Sequence, residues 1–161
     1  AAGLMIIMLL MFVGGTPGST SGGIKTTTLG ILWLQSMAAL RGQETVNFGG
    51  RRFSQKIVIK AMMLAVISSV FVVGVSLLLT ITESIPKGEG LEYIVFEVIS
   101  AFSTTGFSMG LTPHLTDFGK VVIMIVMFIG RVGLYTVMFS VMNIREKPTS
   151  FQYPTEEIII G

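Results

Sequence analysis

Residues 91–110 read LEYIVFEVISAFSTTGFSMG and join a short apolar helix pattern to a polar turn around one glycine. Apolar residues recur here with the i, i+3, i+4, i+7 spacing of one helix face: Leu91, Ile94, Val95, Val98, Ile99 and Phe102. A helix over 91–102 would be about 18 Å long, which is about half of a bilayer. The pattern therefore predicts a helix that enters a membrane without crossing it.

The polar residues 103–109, called the filter turn below, predict a re-entrant pore loop. Irregular backbone at membrane depth is tolerated only where it is buried in protein or lines a water-filled path. The negative end of the preceding helix would favour a cation at this turn. Because Gly106 can adopt a positive φ, successive carbonyl groups can face one axis and replace the water shell of an ion.

Composition indicates a membrane protein. Of 161 residues, 51% are hydrophobic and 12% are charged, about half of the usual charged share. The chain has no cysteine, and its single histidine, His114, has only Asp117 as a nearby acid, so neither a thiolate metal site nor a catalytic triad is assembled. The net charge is +2, but the basic residues flank hydrophobic runs, which argues against a nucleic-acid partner and indicates orientation in a bilayer.

The first forty residues predict a discontinuous membrane helix over 1–41. Residues 1–13 are almost wholly apolar but too few to cross, and the chain opens without Met, so we expect it to be part of a longer polypeptide. Residues 14–28, GGTPGSTSGGIKTTT and called the glycine-rich loop below, cannot continue a helix. Helical character returns at 29–40, the pattern of a broken membrane helix.

The glycine-rich loop has two other interpretations. One is a surface linker, since such compositions usually form loops. A phosphate-binding loop is disfavoured because Ile24 separates Gly23 from Lys25, whereas that motif has Lys directly after Gly.

Charge places the remaining segments. Residues 41–60 carry five basic residues against the single acid Glu44, which predicts a cytoplasmic loop over 42–52. A first membrane helix is expected at 56–82, since 61–82 holds no charge, and a second at 119–144, with a cytosolic tail at 146–161. Residues 53–145 then form one helix, re-entrant loop, helix unit. One such loop cannot enclose an ion, so others must converge with it.

Arg131 lies in an otherwise uncharged run, about 18 Å from either end and beyond the reach of the interface. A direct role in permeation and a role in holding backbone carbonyls are both open and compatible. The carbonyls of 14–23 are its obvious acceptors; Glu97 is another partner, unless Glu97 instead helps to hold the filter turn. Gly130 and Gly133 leave room for the guanidinium or for a neighbouring backbone.

Other conspicuous side chains have simpler interpretations. Lys25 either marks the inner water boundary or contacts the glycine-rich loop or a partner, and His114 is expected to be a solvated loop residue. Methionines at four positions are expected to face lipid or pack rather than bind copper: Met62, Met63, Met124 and Met127.

Together, GGTPGSTSGGIKTTT and SAFSTTGFS followed by GRVGLYT resemble the Trk/Ktr/HKT family of potassium transporters, most closely the membrane subunit of bacterial Ktr-type systems. In that family four M1-P-M2 repeats of one chain surround a single pore. The resemblance implies an all-α membrane protein in which a broken M2 helix precedes one complete potassium-channel-like M1-P-M2 repeat, as the C-terminal part of the transporter.

The resemblance also implies roles for individual residues. The backbone carbonyls of Thr104, Thr105 and Gly106 would coordinate potassium, and Arg131 would face the cavity near an intramembrane gate. The filter residues would be Thr104, Thr105, Gly106, Phe107 and Ser108. The gate residues would be Gly14, Gly15, Thr16, Pro17, Gly18, Ser19, Thr20, Ser21, Gly22, Gly23 and Lys25. Ser108 replaces the second glycine of the channel filter TVGYG, which implies looser selectivity.

For the whole transporter the resemblance implies a multi-pass protein of the inner cell membrane, without enzymatic activity or a covalent cofactor. It implies the remaining N-terminal repeats, a homodimer and a cytosolic ring of nucleotide-binding regulatory subunits as partners, with sodium as a possible coupling or activating ion. Two rival hypotheses stay open. One is a secondary carrier that binds an anionic or organic solute through broken-helix amides and Arg131. The other is a membrane scaffold, which would need neither Arg131 nor Gly106.

Overall fold

The computed structural model describes residues 2–42, 47–48, 51–83, 90–134 and 136–137, with 47–48 and 51–52 described by their backbone alone. Five α-helices dominate this described part: α1 Ala2–Phe12, α2 Thr26–Leu40, α3 Gln55–Thr82, α4 Leu91–Ser103 and α5 Asp117–Val132. A 3₁₀ turn, Thr112–His114, precedes α5. The sequence pattern did not predict the small antiparallel pair of β1 Asn47–Phe48 and β2 Arg51–Arg52, in which Asn47 lies opposite Arg52.

Helix α4 lies at the centre, with α1, α3 and α5 packed against it. Its apolar stripe is the core of the fold: Ile94, Val98 and Phe102 are essentially inaccessible to solvent. The ring of Phe102 is flanked by Phe12 of α1 and Phe71 of α3, at centroid distances of 6.2 and 5.9 Å. Because three helices cover it, this short helix is held rigidly, and the turn that follows it has a fixed origin.

Helix α3 is the longest element. Its 28 residues span about 42 Å, and within the described residues it is the one helix long and apolar enough to cross a membrane. Its outward face is apolar and exposed, as Met63, Val66 and Val70 illustrate. A membrane-crossing helix has this pattern because lipid replaces water around it.

The far end of α3 is joined to the start of α5 through Glu83. The Glu83 carboxylate accepts hydrogen bonds from the Thr116 backbone N–H (2.7 Å) and from its hydroxyl (2.5 Å). Thr116 in turn caps α5 by accepting from the Gly119 N–H. A carboxylate at a helix N-terminus is stabilised by the helix dipole. The contact therefore fixes where α5 begins.

In the described residues, the membrane helix expected over 119–144 is interrupted at Gly133. Helix α5 ends at Val132, and Gly133 has φ +91°, a conformation outside the right-handed helix that glycine tolerates. A helical turn resumes afterwards, since the Val137 N–H donates to the Gly133 carbonyl. The rest of 119–144, the tail 146–161, residues 84–89 and parts of the 42–52 loop lie outside the described residues.

Candidate functional site

The C-terminus of α4 ends in a left-handed cap. Thr104 has φ +55°, the Thr104 N–H donates to the Ala101 carbonyl and the Thr105 N–H to the Ser100 carbonyl, both at 3.2 Å. This is the Schellman arrangement, in which glycine normally occupies the left-handed position. A β-branched residue there is strained, so its side chain must be held by the surroundings.

The filter turn continues from this cap as irregular backbone. Gly106 has φ +79°, and a Cβ at this position would meet nothing within 4 Å. Phe107 is 62% exposed. The hydroxyl of Thr105 lies 3.3 Å from those of Ser100 and Ser103, at the end of α4. Residues 105–108 of the turn are thus exposed on the surface of the described chain.

Glu97 of α4 holds the far end of the filter turn. Its Oε1 atom accepts hydrogen bonds from the hydroxyls of Ser108, at 2.9 Å, and of Thr112. The side chain is 5% exposed, and its Oε2 has no hydrogen-bond partner among the described residues. Of the two partners open to Glu97 in the sequence, the structure shows the contact with the filter turn and no hydrogen bond to Arg131.

The glycine-rich loop folds back on itself. Residues 14–25 lie outside the helices, whereas 26–28, predicted as part of the loop, already form the first turn of α2. The loop returns beside its own start through a parallel bridge between Val13 and Ile24. The Gly14 N–H donates to the Ile24 carbonyl (2.7 Å), and the Ile24 N–H to the Phe12 carbonyl (3.3 Å). The break in the helix is therefore a loop whose two ends are joined by backbone hydrogen bonds.

This loop lies directly against the end of α4. The Gly22 N–H donates to the Ser103 carbonyl (3.1 Å) and to the Thr104 hydroxyl (3.0 Å). A Cβ at Gly22 would lie 2.8 Å from the Phe102 carbonyl oxygen, and one at Gly130 of α5 would lie 2.0 Å from the same oxygen. Three segments therefore meet with their backbones in contact, which is possible only with glycine at both positions.

Two cations hold the carbonyls of the glycine-rich loop. The Arg131 guanidinium donates to the Thr20 carbonyl. The Lys25 ammonium donates to the Ser21 carbonyl (2.5 Å) and, more weakly, to that of Ser19 (3.4 Å). Arg131 thus binds a carbonyl of the loop, as predicted from the sequence. Lys25 also contacts the loop, which is one of its two predicted roles.

The other sequence candidates lie away from this junction. His114 is exposed in the 3₁₀ turn, and the four methionines at positions 62, 63, 124 and 127 are all about half exposed on outward helix faces. Within the described ranges no three His, Cys, Asp or Glu side chains converge to hold a metal ion. The chemistry that this site offers a cation is that of backbone carbonyls and hydroxyls, ligands suited to a hard ion.

Three contacts of the site are not predictable from sequence: Gly22 with Thr104, Thr112 with Glu97, and Gly130 with Phe102. The sequence indicates room for a neighbouring backbone beside Gly130, but not which backbone. No local pattern could have identified it, because the contact joins segments far apart in the chain.

Comparison with known proteins places residues 1–153 in a match to the TrkH family, described as cation transport proteins. The potassium/sodium uptake protein NtpJ of Enterococcus hirae is 47% identical over 161 residues, which cover 99% of this chain and 36% of that protein. The Ktr system potassium uptake proteins D and B of Bacillus subtilis are each 40% identical, over 98% of this chain and 34% of theirs. The chain thus spans about a third of the length of these relatives.

Proposed function

The chain belongs to the TrkH family of cation transport proteins, and from this membership we propose that it forms part of a potassium-translocating membrane subunit. Residues 104–108 serve as one wall of a selectivity filter, and the glycine-rich loop serves as a gate. The observation that carries the proposal is the junction at the end of α4, where a positive-φ turn, the loop and Arg131 lie in contact.

The end of α4 supports a cation site at the filter turn. The helix points its C-terminus at the turn, so the partial negative charge of its dipole lies there. The positive φ of Gly106 and the open space around it allow its carbonyl and those of Thr104 and Thr105 to face an ion. A transported ion needs such ligands because it must shed its water shell without a large free-energy cost.

The loop contacts support a gate beside that site. The loop is bound to the end of α4 by the Gly22 N–H, which is shared between the Ser103 carbonyl and the Thr104 hydroxyl, and to α5 by Arg131. Such a loop blocks the path while it is held and can move as one body when it is released, since its two ends are closed by the bridge at Val13 and Ile24. A cavity of about 250 Å³ behind it, lined in part by Gly23, Ser68 and Gly133, offers space for that movement.

The remainder of the pore comes from other repeats of the same transporter. One wall cannot surround an ion, so we assign the other walls to M1-P-M2 repeats outside this chain, in a multi-pass protein of the inner cell membrane. Relatives named as proteins of Ktr systems support a multisubunit system. To that system we assign a homodimer of this transporter and a cytosolic ring of nucleotide-binding regulatory subunits. The name of the Enterococcus relative includes sodium, which supports sodium as a coupling or activating ion.

The rival hypothesis of an anion or solute carrier is weakened by the same contacts. The loop N–H groups of Gly14, Gly22 and Ile24 already donate to oxygen atoms of the chain. Arg131 is engaged with Thr20. An anionic solute would have to break these contacts, whereas a cation meets oxygen atoms that are already oriented.

Rubidium and potassium uptake by the full-length transporter, expressed in bacteria that lack other potassium uptake systems, tests the proposal. The transporter should show saturable uptake, and Gly106→Ser should lower the preference for potassium over sodium because an added Cβ disfavours positive φ. Gly42→Ser is the matched control, since Gly42 also has positive φ (+67°) in open space but lies after α2. Unchanged selectivity in Gly106→Ser would refute the filter assignment.

A further inference from the structure

Glu97 is a carboxylate in the apolar core. It lies on α4 between the fully buried Ile94 and Val98, and it is itself 5% exposed. A buried polar group is tolerated when it is hydrogen-bonded, and a buried charge when it is balanced. Oε1 meets the first condition through Ser108 and Thr112. Oε2 has no hydrogen-bond partner in the described part of the chain, and the donors found there for Oε1 are uncharged hydroxyls.

The two hydroxyl donors determine what Glu97 can control. Ser108 is the last of the proposed filter residues 104–108. Thr112 begins the 3₁₀ turn that connects the filter turn to α5. The Ser108 hydroxyl also accepts from the Gly110 N–H, at 3.0 Å. Oε1 of Glu97 therefore holds both Ser108 and Thr112, on either side of Gly110, against helix α4, which is itself fixed in the core. This constrains the backbone from Gly106 to Gly110, where two residues have positive φ.

We propose that Glu97 is a specificity-determining residue: it positions the end of the filter turn and supplies the negative charge that attracts the cation into it. The inference rests on the proposed potassium function and adds a role that carbonyl ligands alone do not provide. The permeating cation is then the counter-charge that the carboxylate lacks in the described chain. Electrostatic attraction is strong in this setting, because the buried site has a low effective dielectric constant.

The two parts of this role can be separated by substitution. Glu97→Gln keeps the length of the side chain and an acceptor oxygen for both hydroxyls, but removes the charge. Ser108→Ala and Thr112→Val keep the charge but each removes one donor. Glu92→Gln is the matched control, because it removes the same charge from the same helix at an exposed position.

The experiment measures concentration-dependent rubidium uptake, and competition by sodium, in the full-length transporter. Glu97→Gln should raise the KM for rubidium by about 3- to 10-fold with Vmax within about twofold of the parent, as expected for loss of an attracting charge. Ser108→Ala and Thr112→Val should weaken the discrimination against sodium, and Thr112→Val, which lies outside the filter residues, should do so with KM within about twofold of the parent. Glu92→Gln should match the parent in both measurements.

Several outcomes overturn the inference. One is a Glu97→Gln transporter with parental KM, and another is an equal rise in KM for Glu92→Gln. A third is parental sodium discrimination in both hydroxyl variants, which keeps the positioning role testable even where Glu97→Gln fails to reach the membrane. If the parent itself takes up no rubidium, the proposed function fails; if the parent transports and Glu97→Gln matches it, only this inference fails.

Discussion

At Gly130, the missing side chain lets α5 cross the end of α4. The Phe102 carbonyl oxygen would lie 2.0 Å from a Cβ at Gly130, far inside the contact distance of the two atoms. That oxygen belongs to backbone in the fixed core, so it cannot rotate away as a flexible side chain would. Close approach of helices through glycine is common in membranes, where small residues let backbones pack closely.

We predict that Gly130→Ala destabilises the fold, because the two backbones must move apart. Overpacking of this kind costs about 1–3 kcal/mol, which should lower the thermal midpoint of the detergent-purified full-length transporter by several degrees. Gly74→Ala in α3 is the control, since its Cβ would meet nothing within 4 Å, and it should be neutral or slightly stabilising. Equal thermal midpoints for Gly130→Ala and Gly74→Ala would contradict the crossing.

Thr104 adopts a strained left-handed conformation that places its hydroxyl against the glycine-rich loop. A left-handed conformation costs a non-glycine residue about 1–2 kcal/mol, and here the hydroxyl accepts the Gly22 N–H of the glycine-rich loop. Thr104→Gly should therefore be tolerated in stability but should release the loop and raise basal rubidium flux. Thr104→Ser, which keeps the hydroxyl, should retain the parental flux. Parental flux in Thr104→Gly would show that this hydrogen bond does not restrain the loop.

Among the elements, those with strong local patterns were the most predictable from sequence. The helical spacing of 91–102 and the uncharged run 61–82 have counterparts in α4, Leu91–Ser103, and α3, Gln55–Thr82. The helix break at the glycine-rich loop was predictable because Pro17 and its glycines cannot continue a helix. The bridge between Val13 and Ile24 was not, since it joins the two ends of the glycine-rich loop. The end of α5 at Gly133 has only a local signal, a glycine that tolerates positive φ, and the apolar run around it conceals that signal.

The position of the glycine-rich loop depends on α5, because Arg131 of that helix donates to the Thr20 carbonyl of the loop. We predict that Arg131→Gln raises basal rubidium flux several-fold, because the charge-assisted hydrogen bond to the Thr20 carbonyl is lost and the loop is held less firmly. Lys120→Gln is the control on the same helix. Its pair with Asp117, at 3.7 Å, is exposed and such pairs contribute little. Flux in Arg131→Gln no greater than in Lys120→Gln would argue against a restraining role.

At the scale of the whole molecule, the charge distribution predicts that the N-terminal end of α3 faces the cytoplasm, and the fold makes this orientation testable. Ser54 precedes α3, and Thr116, near His114, is bonded to Glu83 just beyond the other end of that helix. The two regions therefore lie at opposite ends of an element about 42 Å long. Sequence could not supply this arrangement by itself, because the return of 111–116 to the end of α3 depends on the buried Glu83 contact.

Labelling of single cysteines in the full-length transporter, with any other cysteines removed, tests this arrangement. The 161 residues contain no cysteine, so they add no background labelling. Ser54→Cys should react with a charged, membrane-impermeant maleimide only after the cells are permeabilised, since the basic segment beside it is predicted to be cytoplasmic. His114→Cys should react in intact cells. Val70→Cys, on the exposed apolar face of α3, should resist labelling in both conditions because the reagent cannot enter hydrocarbon. Reaction of Ser54→Cys and His114→Cys from the same side would contradict a crossing by α3, whatever the ion that is transported.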